Sequence, residues 1–193
     1  MKRRIFLQIP LLATALVAAN QIYADEGPDK TTAKERPMKG FKVSTGKARF
    51  QKGLNIMGGQ FNCIVSSEDT KGELLIYNTV RQEKGGPALH LHHEQDEWFY
   101  VIKGEFIVKV GEDTFNLNVG DSAYAPRKIP HAFAKINEGE GQVLVLFQPA
   151  GSIEDFFEQM SKFGSSIPKD QEIILKNLYE THGMHVVGPP LKF

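Results

Sequence analysis

The residues with the clearest chemical potential lie in one short stretch, residues 86–97, which contains His90, His92, His93 and Glu97. If this stretch forms two strands joined by a turn, successive side chains alternate between the two faces. His90 and His92 then share a face, and His93 lies on the other. Two imidazoles and the carboxylate of Glu97 would make up most of a metal site.

His131, which directly follows Pro130, is the obvious candidate for a fourth ligand. Three neutral imidazoles and one carboxylate form a mixed nitrogen and oxygen donor set. Such a set suits Fe, Mn, Ni, Co, Cu or Zn and leaves coordination positions open, as in catalytic rather than structural sites. We therefore predict that His90, His92, Glu97 and His131 bind one divalent transition metal, whose identity the sequence does not determine. The alternative is a polar lining without a metal.

Short apolar segments separated by Gly, Asn and Asp must position these residues. Residues 106–110 alternate with a period of two, and tight turns are predicted at residues 103–104 and 111–113. This pattern predicts an all-β sandwich or barrel without intervening helices. The candidate strands are residues 54–66, 73–80, 88–92, 97–103, 105–110, 114–118, 122–125, 132–136 and 142–148.

The pattern changes at residue 151, and residues 151–193 are predicted to form a helical cover followed by an extended tail. Ser152 and Asp155 resemble a helix N-terminal capping box. Apolar residues then recur at helical spacing, and a second helix is predicted over residues 170–182. Such a pair could cover an open end of the barrel. His182 and His185, near the end of the second helix, are expected to face solvent. The apolar face of the first helix consists of Ile153, Phe156, Phe157, Met160 and Phe163.

The N-terminal residues resemble a secretory signal peptide: a basic start, an apolar run and small residues up to Ala24. Arg3 and Arg4, followed by Phe6 and Leu7, also resemble a twin-arginine export signal, and the ordinary secretory route stays open. We predict a signal peptide over residues 1–24, a flexible linker over residues 25–40 and a periplasmic or secreted protein. No stable membrane insertion is expected after cleavage.

Composition excludes some classes of partner. Lysine plus arginine and aspartate plus glutamate both number 23, so the formal net charge is zero and no basic face for nucleic acid is expected. The single Cys63 allows no internal disulfide and no cysteine-based zinc site. It lies in an apolar stretch, so we interpret it as a buried small residue rather than a nucleophile.

The spacing of the candidate ligands resembles the two sequence motifs of the cupin superfamily. In the first motif, one residue separates His90 from His92, four residues then precede Glu97, and six more precede Gly104. In the second motif, five residues separate Gly120 from Pro126, and His131 follows. Lysines at 84, 128 and 135 stand where the family pattern has glycine, glycine and asparagine. The resemblance covers residues 41–150. It implies a double-stranded β-helix, the jelly-roll barrel of RmlC-like cupins, that binds one metal through these four ligands.

Ser152–Phe157 after the barrel and a Val187-Gly-Pro-Pro-Leu191 tail resemble single-domain cupins related to quercetin 2,3-dioxygenase. This resemblance implies an oxidoreductase that opens a flavonol-like or other enolic aromatic substrate with O2, in which Glu97 is both ligand and catalytic base. It also implies a homodimer. By strand alternation, Phe99 and Val101 share the face of Glu97, and Phe133 shares that of His131. With Tyr77 and Phe147 from other strands, they predict an apolar and aromatic substrate pocket near the metal; packing in the core is the alternative.

Two other functions stay open. The first is a non-catalytic periplasmic cupin that binds a small molecule without turnover. The second is a metal-dependent isomerase or decarboxylase that acts on a small carboxylate or sugar. A carboxylate substrate would require a cationic anchor inside the barrel, so Arg49, Arg81 or Arg127 would have to point inward.

Overall fold

The computed structural model describes residues 39–50, 53–164 and 172–193. The predicted signal peptide and residues 25–38 of the predicted linker lie outside the described residues. Within the described ranges, no helix is long and apolar enough to cross a membrane.

The strands of the described residues form two antiparallel sheets, in agreement with the predicted all-β jelly-roll fold. The six-stranded sheet has the order β1-β2-β3-β10-β5-β8, and the five-stranded sheet has the order β11-β4-β9-β6-β7. The strands are β1 (Leu54–Ile56), β2 (Gly59–Val65), β3 (Leu75–Arg81), β4 (Ala88–His92), β5 (Asp96–Lys103), β6 (Phe106–Val110), β7 (Asp113–Leu117), β8 (Ser122–Ala125), β9 (His131–Lys135), β10 (Gly141–Gln148) and β11 (Met184–Pro190).

Alternating side chains build the core between the sheets. In β3, Leu75, Tyr77, Thr79 and Arg81 are buried, whereas the residues between them are half-buried. β10 follows the same pattern and pairs with both β3 and β5. The three neighbouring strands therefore present one continuous interior face, as expected when side chains alternate across a sheet.

The segment predicted as one strand over residues 54–66 is a hairpin of β1 and β2. Met57 and Gly58 both have positive φ angles, of 47° and 74°, and form the turn between the two strands. The apolar character of the segment continues through this turn, so apolar content alone did not reveal it. The Gly58-Gly59 pair was the available turn signal.

The prediction of a barrel without intervening helices is wrong in one place, because the short helix α1 (Ser67–Thr70) follows β2. The Ser66 side chain accepts a hydrogen bond from the backbone of this helix, and Asp69 accepts one from the Ser66 N–H. The capping box therefore lies here rather than at Ser152, whose side chain makes no capping hydrogen bond.

The C-terminal segment contains α2 (Ile153–Met160), a short 3-10 helix (Ser161–Phe163) and α3 (Glu172–Thr181). The predicted apolar face of α2 packs inward, with Ile153, Phe156 and Met160 buried. In α3, Tyr179 is buried, whereas Ile173 is 75% exposed. Both helices contribute side chains to the core.

The predicted extended tail is a strand of the barrel. β11 pairs antiparallel with β4, and Met184 lies opposite His92 in this pairing. Its two prolines are compatible with an edge position, because proline cannot donate a hydrogen bond to a second neighbour. The C-terminal residues therefore support the strand that carries two of the candidate ligands.

Candidate metal centre

Three strands bring the four candidate ligands together. His90 and His92 lie on β4, Glu97 is the second residue of β5, and His131 is the first residue of β9. His90 pairs directly with His131 across β4 and β9. All four side chains are buried, whereas His93 is exposed. The predicted alternation, with His93 turned away from the site, agrees with this placement.

One potential ligand atom from each of the four residues lies within 4.8 Å of those of the other three. The closest pair is His131 Nε2 and Glu97 Oε2, at 2.7 Å. His92 Nε2 lies 3.2 Å from the same carboxylate oxygen without meeting the geometry of a hydrogen bond. The donor atoms therefore converge on a space of the size that a single ion needs.

Two of the rings are held by main-chain carbonyls. His90 Nδ1 lies 2.8 Å from the carbonyl oxygen of Ala88, and His131 Nδ1 lies 2.8 Å from that of Ile129. A carbonyl can only accept, so Nδ1 is the donor in both rings, and in a neutral ring Nε2 keeps its lone pair. Such second hydrogen bonds are typical of histidines that bind metals.

The chemistry of this donor set fits a divalent cation. The Nε2 lone pair of a neutral His131 would face a carboxylate oxygen of Glu97, and two acceptors at 2.7 Å repel each other unless a proton or a cation lies between them. Both ring nitrogens of His92 are buried without a hydrogen-bond partner. The buried cluster is therefore compatible with one metal ion, held by His90, His92, Glu97 and His131.

Electrostatics keep two of the ligands in the protonation states that a cation requires. Burial, together with the neighbouring His92 and His131, lowers the pKa of His90 to about 3, so this ring is neutral at pH 7. Burial acts to raise the pKa of Glu97, but its interactions with His131 and His92 outweigh burial and hold the pKa below its ordinary value. Glu97 is therefore ionised at neutral pH. For His131, burial is likewise outweighed by Glu97, which raises the pKa of that ring.

Comparison with known proteins agrees with the fold and the ligand spacing. The model of the cupin domain family matches residues 78–148, which run from β3 to the end of β10 and include all four candidate ligands. The chain carries a domain of the cupin superfamily. The match lies within the eight strands β3–β10. Outside it, β1 and β2 extend the six-stranded sheet, and β11 extends the five-stranded sheet.

Two curated relatives match part of the chain, and both are described as uncharacterized proteins. A protein of Methanocaldococcus jannaschii is 30% identical over 67 residues, which are 35% of this chain and 54% of the relative. A protein of Streptomyces coelicolor is 37% identical over 60 residues, which are 31% of this chain and 56% of the relative. The chain thus spans about half the length of the curated relatives that it matches.

Among solved structures, a predicted oxalate decarboxylase from Thermotoga maritima aligns with a TM-score of 0.50 and 16% identity. The alignment covers 56% of this chain and 99% of the other. At this level of identity, the similarity is one of fold.

A cavity adjoins the cupin ligands and is lined mostly by apolar side chains. Its enclosed volume is about 60 Å³, which is smaller than that of a typical small-molecule site. His90, His92 and Glu97 line it together with side chains from both sheets and from the C-terminal helices. The apolar part of the lining includes Phe61, Phe133, Phe147, Phe156, Phe157 and Tyr179.

Of the five predicted pocket residues, two line the cavity and three lie elsewhere in the interior. Phe133 and Phe147 line the cavity beside the ligands. Phe99 and Val101 share the interior face of Glu97 but are fully buried in the core and do not line it. Tyr77 is also buried and contributes instead to a second, smaller cavity beside Cys63. Alternation determines which face a side chain occupies, but not its depth within the barrel.

The aromatic side chains that α2 and α3 add to the cavity were not assigned to the pocket from sequence. Tyr179 lies beside the candidate ligands. The centroid of its ring is 6.2 Å from that of the His90 ring and 4.9 Å from that of the Phe156 ring. The available signal was the apolar face predicted for α2, which contains Phe156 and Phe157. His182 is buried rather than solvent-facing, because its Nδ1 lies 2.9 Å from the carbonyl oxygen of Leu178 and its ring packs on Phe156.

The loop that precedes His131 holds Lys128 where the family pattern has glycine. Lys128 has a φ of 67°, in the left-handed region that favours glycine, and its N–H donates to the carbonyl oxygen of His92 at 2.6 Å. The loop therefore keeps the glycine-like conformation with a lysine. This hydrogen bond connects the second motif directly to the end of β4.

Proposed function

We propose that this protein is a metal-dependent dioxygenase that cleaves an enolic, flavonol-like or similar aromatic substrate with O2. The observation that carries the proposal is the position of the buried cluster of three histidines and one glutamate against an aromatic cavity. A flat, largely apolar substrate suits such a cavity better than a small dianion does. When bound, a redox-active divalent ion supplies Lewis acidity and the means of activating O2.

The residues of the chain have two roles in this proposal. Glu97 accepts the enol proton of the substrate, because it is the only carboxylate among the described residues that line the cavity. Its pKa is held below the ordinary value, so it is a weak base. The proposal therefore favours enols that are acidic enough to transfer their proton to it. The aromatic side chains bind the substrate and exclude water.

Oxygen uptake is the direct test. The protein is loaded separately with Fe, Mn, Co and Ni and incubated with quercetin and a panel of other aromatic enols. We expect substrate-dependent oxygen consumption, with both atoms of ¹⁸O2 in the product. Glu97→Gln should lower kcat by about 10²- to 10⁴-fold, the usual contribution of a general base. No uptake with any of the four metals across the panel would contradict the proposal.

The same assay separates the alternatives. A metal-dependent isomerase or decarboxylase would convert its substrate equally well without oxygen. A non-catalytic binding protein would be stabilised by the enols but would convert none of them. Parallel anaerobic incubations that also include small carboxylates and sugars, together with thermal-shift measurements, therefore distinguish the three functions.

A further inference from the structure

Arg81 is the feature of the cavity that the proposed reaction leaves unexplained. It ends the interior row of β3, where the alternating pattern calls for a buried side chain. It is 7% exposed and lines the same cavity as His90, His92 and Glu97. A buried guanidinium is costly unless it is paired with an anion and fully hydrogen-bonded.

Arg81 has no anionic partner among the described residues. Its Nη2 donates to the carbonyl oxygen of Met57 at 2.8 Å, while Nε is buried without any hydrogen-bond partner. Burial is the one cause that shifts its pKa, in the downward direction, so no neighbouring carboxylate offsets the loss of hydration.

The other two described arginines differ in this respect. Arg49 forms a salt bridge with Asp69, and Arg127 forms one with Asp96, at 3.1 and 2.7 Å. Neither of them lines the cavity beside the ligands. Of the three arginines that could have served as an interior cationic anchor, the structure therefore directs Arg81 inward.

The β1–β2 hairpin surrounds the guanidinium of Arg81 and leaves space for it. The left-handed turn at Met57 presents the carbonyl that accepts from Nη2. Gly59 lies opposite Arg81, and a Cβ at that position would be 2.8 Å from Nη1. A larger residue at position 59 would force the guanidinium to move, so the backbone leaves space for it.

Arg81 lies away from the metal ligands within the cavity. Phe147 of β10 pairs with Glu97 of β5 on one side and with Leu75 of β3 on the other. Glu97 therefore lies at the same height in the sheet as the start of β3. Arg81 is at the opposite end of the same strand. A group bound by Arg81 would therefore belong to a different part of the substrate from the part that meets the metal ligands.

We propose that Arg81 binds a carboxylate of the substrate at the end of the cavity away from the metal ligands. The substrate then combines an enolic end with an anionic end, separated by an apolar body that contacts the aromatic lining. A planar carboxylate matches the fork of donors that a guanidinium offers. This inference rests on the cavity being the substrate site of the proposed function, but not on the reaction that follows.

Binding to the zinc-loaded protein tests the inference without turnover. Two pairs of probes of different length are titrated by calorimetry: comenic acid with its methyl ester, and 4′-carboxy-3-hydroxyflavone with its methyl ester. Each pair shares a metal-binding enolone and differs in the carboxylate. We expect the acid of at least one pair to bind about 10- to 100-fold more tightly than its ester, as for a charged hydrogen bond.

The variants assign this preference to one side chain. Arg81→Gln should remove the preference for the acid while leaving ester binding unchanged, and Arg81→Lys should retain part of it. Arg49→Gln, the matched control outside the cavity, should keep the full preference. The absence of any preference in both pairs, or a preference that survives Arg81→Gln, would overturn the inference.

A second measurement needs no variant and covers the case in which Arg81→Gln does not fold. Phenylglyoxal modifies accessible arginines, and peptide mapping reports its reaction with Arg81 in the wild-type protein. The acid that binds should slow this modification, whereas its ester should not, and equal protection by both would contradict the inference. A carboxylate preference without oxygen uptake would support anion recognition and contradict the dioxygenase, so the two failures are distinguishable.

Discussion

The histidines of the site differ in how they are held. His90 and His131 each use Nδ1 to donate to the carbonyl of the residue two positions earlier in the chain, and Nε2 of His131 lies 2.7 Å from Glu97 Oε2. His92 has no such bond, and its orientation comes from packing against His131 and Phe147, with ring centroids at 5.3 and 5.6 Å. Among the three candidate histidine ligands, His92 is therefore the one whose ring orientation would depend most on a bound ion.

Cys63 shows how surroundings determine reactivity at the scale of one residue. Burial raises the pKa of the thiol, and the nearby Glu154, which accepts a hydrogen bond from the sulfur at 3.5 Å, raises it further. The thiolate is the reactive form, so a raised pKa makes the thiol less reactive at any pH below it. Cys63 is half-buried rather than fully buried, and this environment agrees with the interpretation that it is not a nucleophile.

We expect Cys63 to react with iodoacetamide at pH 8 much more slowly in the native protein than in urea, where its pKa returns to about 8.5. Glu154→Gln should lower the pKa and speed the native reaction, because removing a negative charge favours the thiolate. Asp155→Asn, an exposed acid on the same helix, is the control and should have little effect. A native thiol that reacts as fast as the unfolded one would contradict the prediction.

Of the two α-helices that follow the barrel, α3 has fewer buried residues than α2. Tyr179 is its one fully buried side chain, and it packs against Phe156 of α2 and the ring of His90. Leu175 and Leu178 are partly buried against the same core. The attachment of α3 therefore depends strongly on one aromatic residue.

Tyr179→Ala should lower the free energy of unfolding by about 3–5 kcal/mol, the usual cost of removing a buried aromatic side chain. Ile173→Ala, on the exposed side of the same helix, should change it by less than about 0.5 kcal/mol. Urea unfolding measures both. Equal losses in the two variants would show that helix propensity, rather than the contacts of Tyr179, determines the effect.

In the molecule as a whole, the candidate metal centre joins the two sheets. Glu97 belongs to the six-stranded sheet, whereas His90, His92 and His131 belong to the five-stranded sheet. An ion bound by all four would connect β4, β5 and β9 across the interior. It would also neutralise the buried Glu97 carboxylate and satisfy the ring nitrogen of His92, so its binding free energy would stabilise the fold.

Adding Zn²⁺ to chelator-treated protein should raise the Tm. At a free concentration about 1,000-fold above Kd, the stabilisation is about 4 kcal/mol, or roughly 8–16 °C for a protein of this size. His92→Ala should abolish both the shift and the retention of metal. His93→Ala, an exposed neighbour, should retain both. Equal losses in the two variants would mean that the strand register at the site is wrong.

Residues that recur with a strict spacing could be assigned from the sequence alone. His90 and His92 could be assigned to one face because strand alternation is a local property of the backbone, and the spacing of the first motif added Glu97. The second motif supplied His131. The apolar face of α2 was equally readable, since Ile153, Phe156 and Met160 follow the helical period. The barrel itself followed from many short strands that are separated by turns.

The depth of a side chain within the barrel and the pairing of distant strands could be read only from the folded structure. Alternation placed Phe99 and Phe133 both in the interior, yet only Phe133 reaches the cavity. The C-terminal tail became β11 because β4 offered it an unpaired edge, which no local pattern reports. Arg81 could not be distinguished from Arg49 and Arg127 in sequence, because a charged side chain is buried or paired according to neighbours that only the fold brings together.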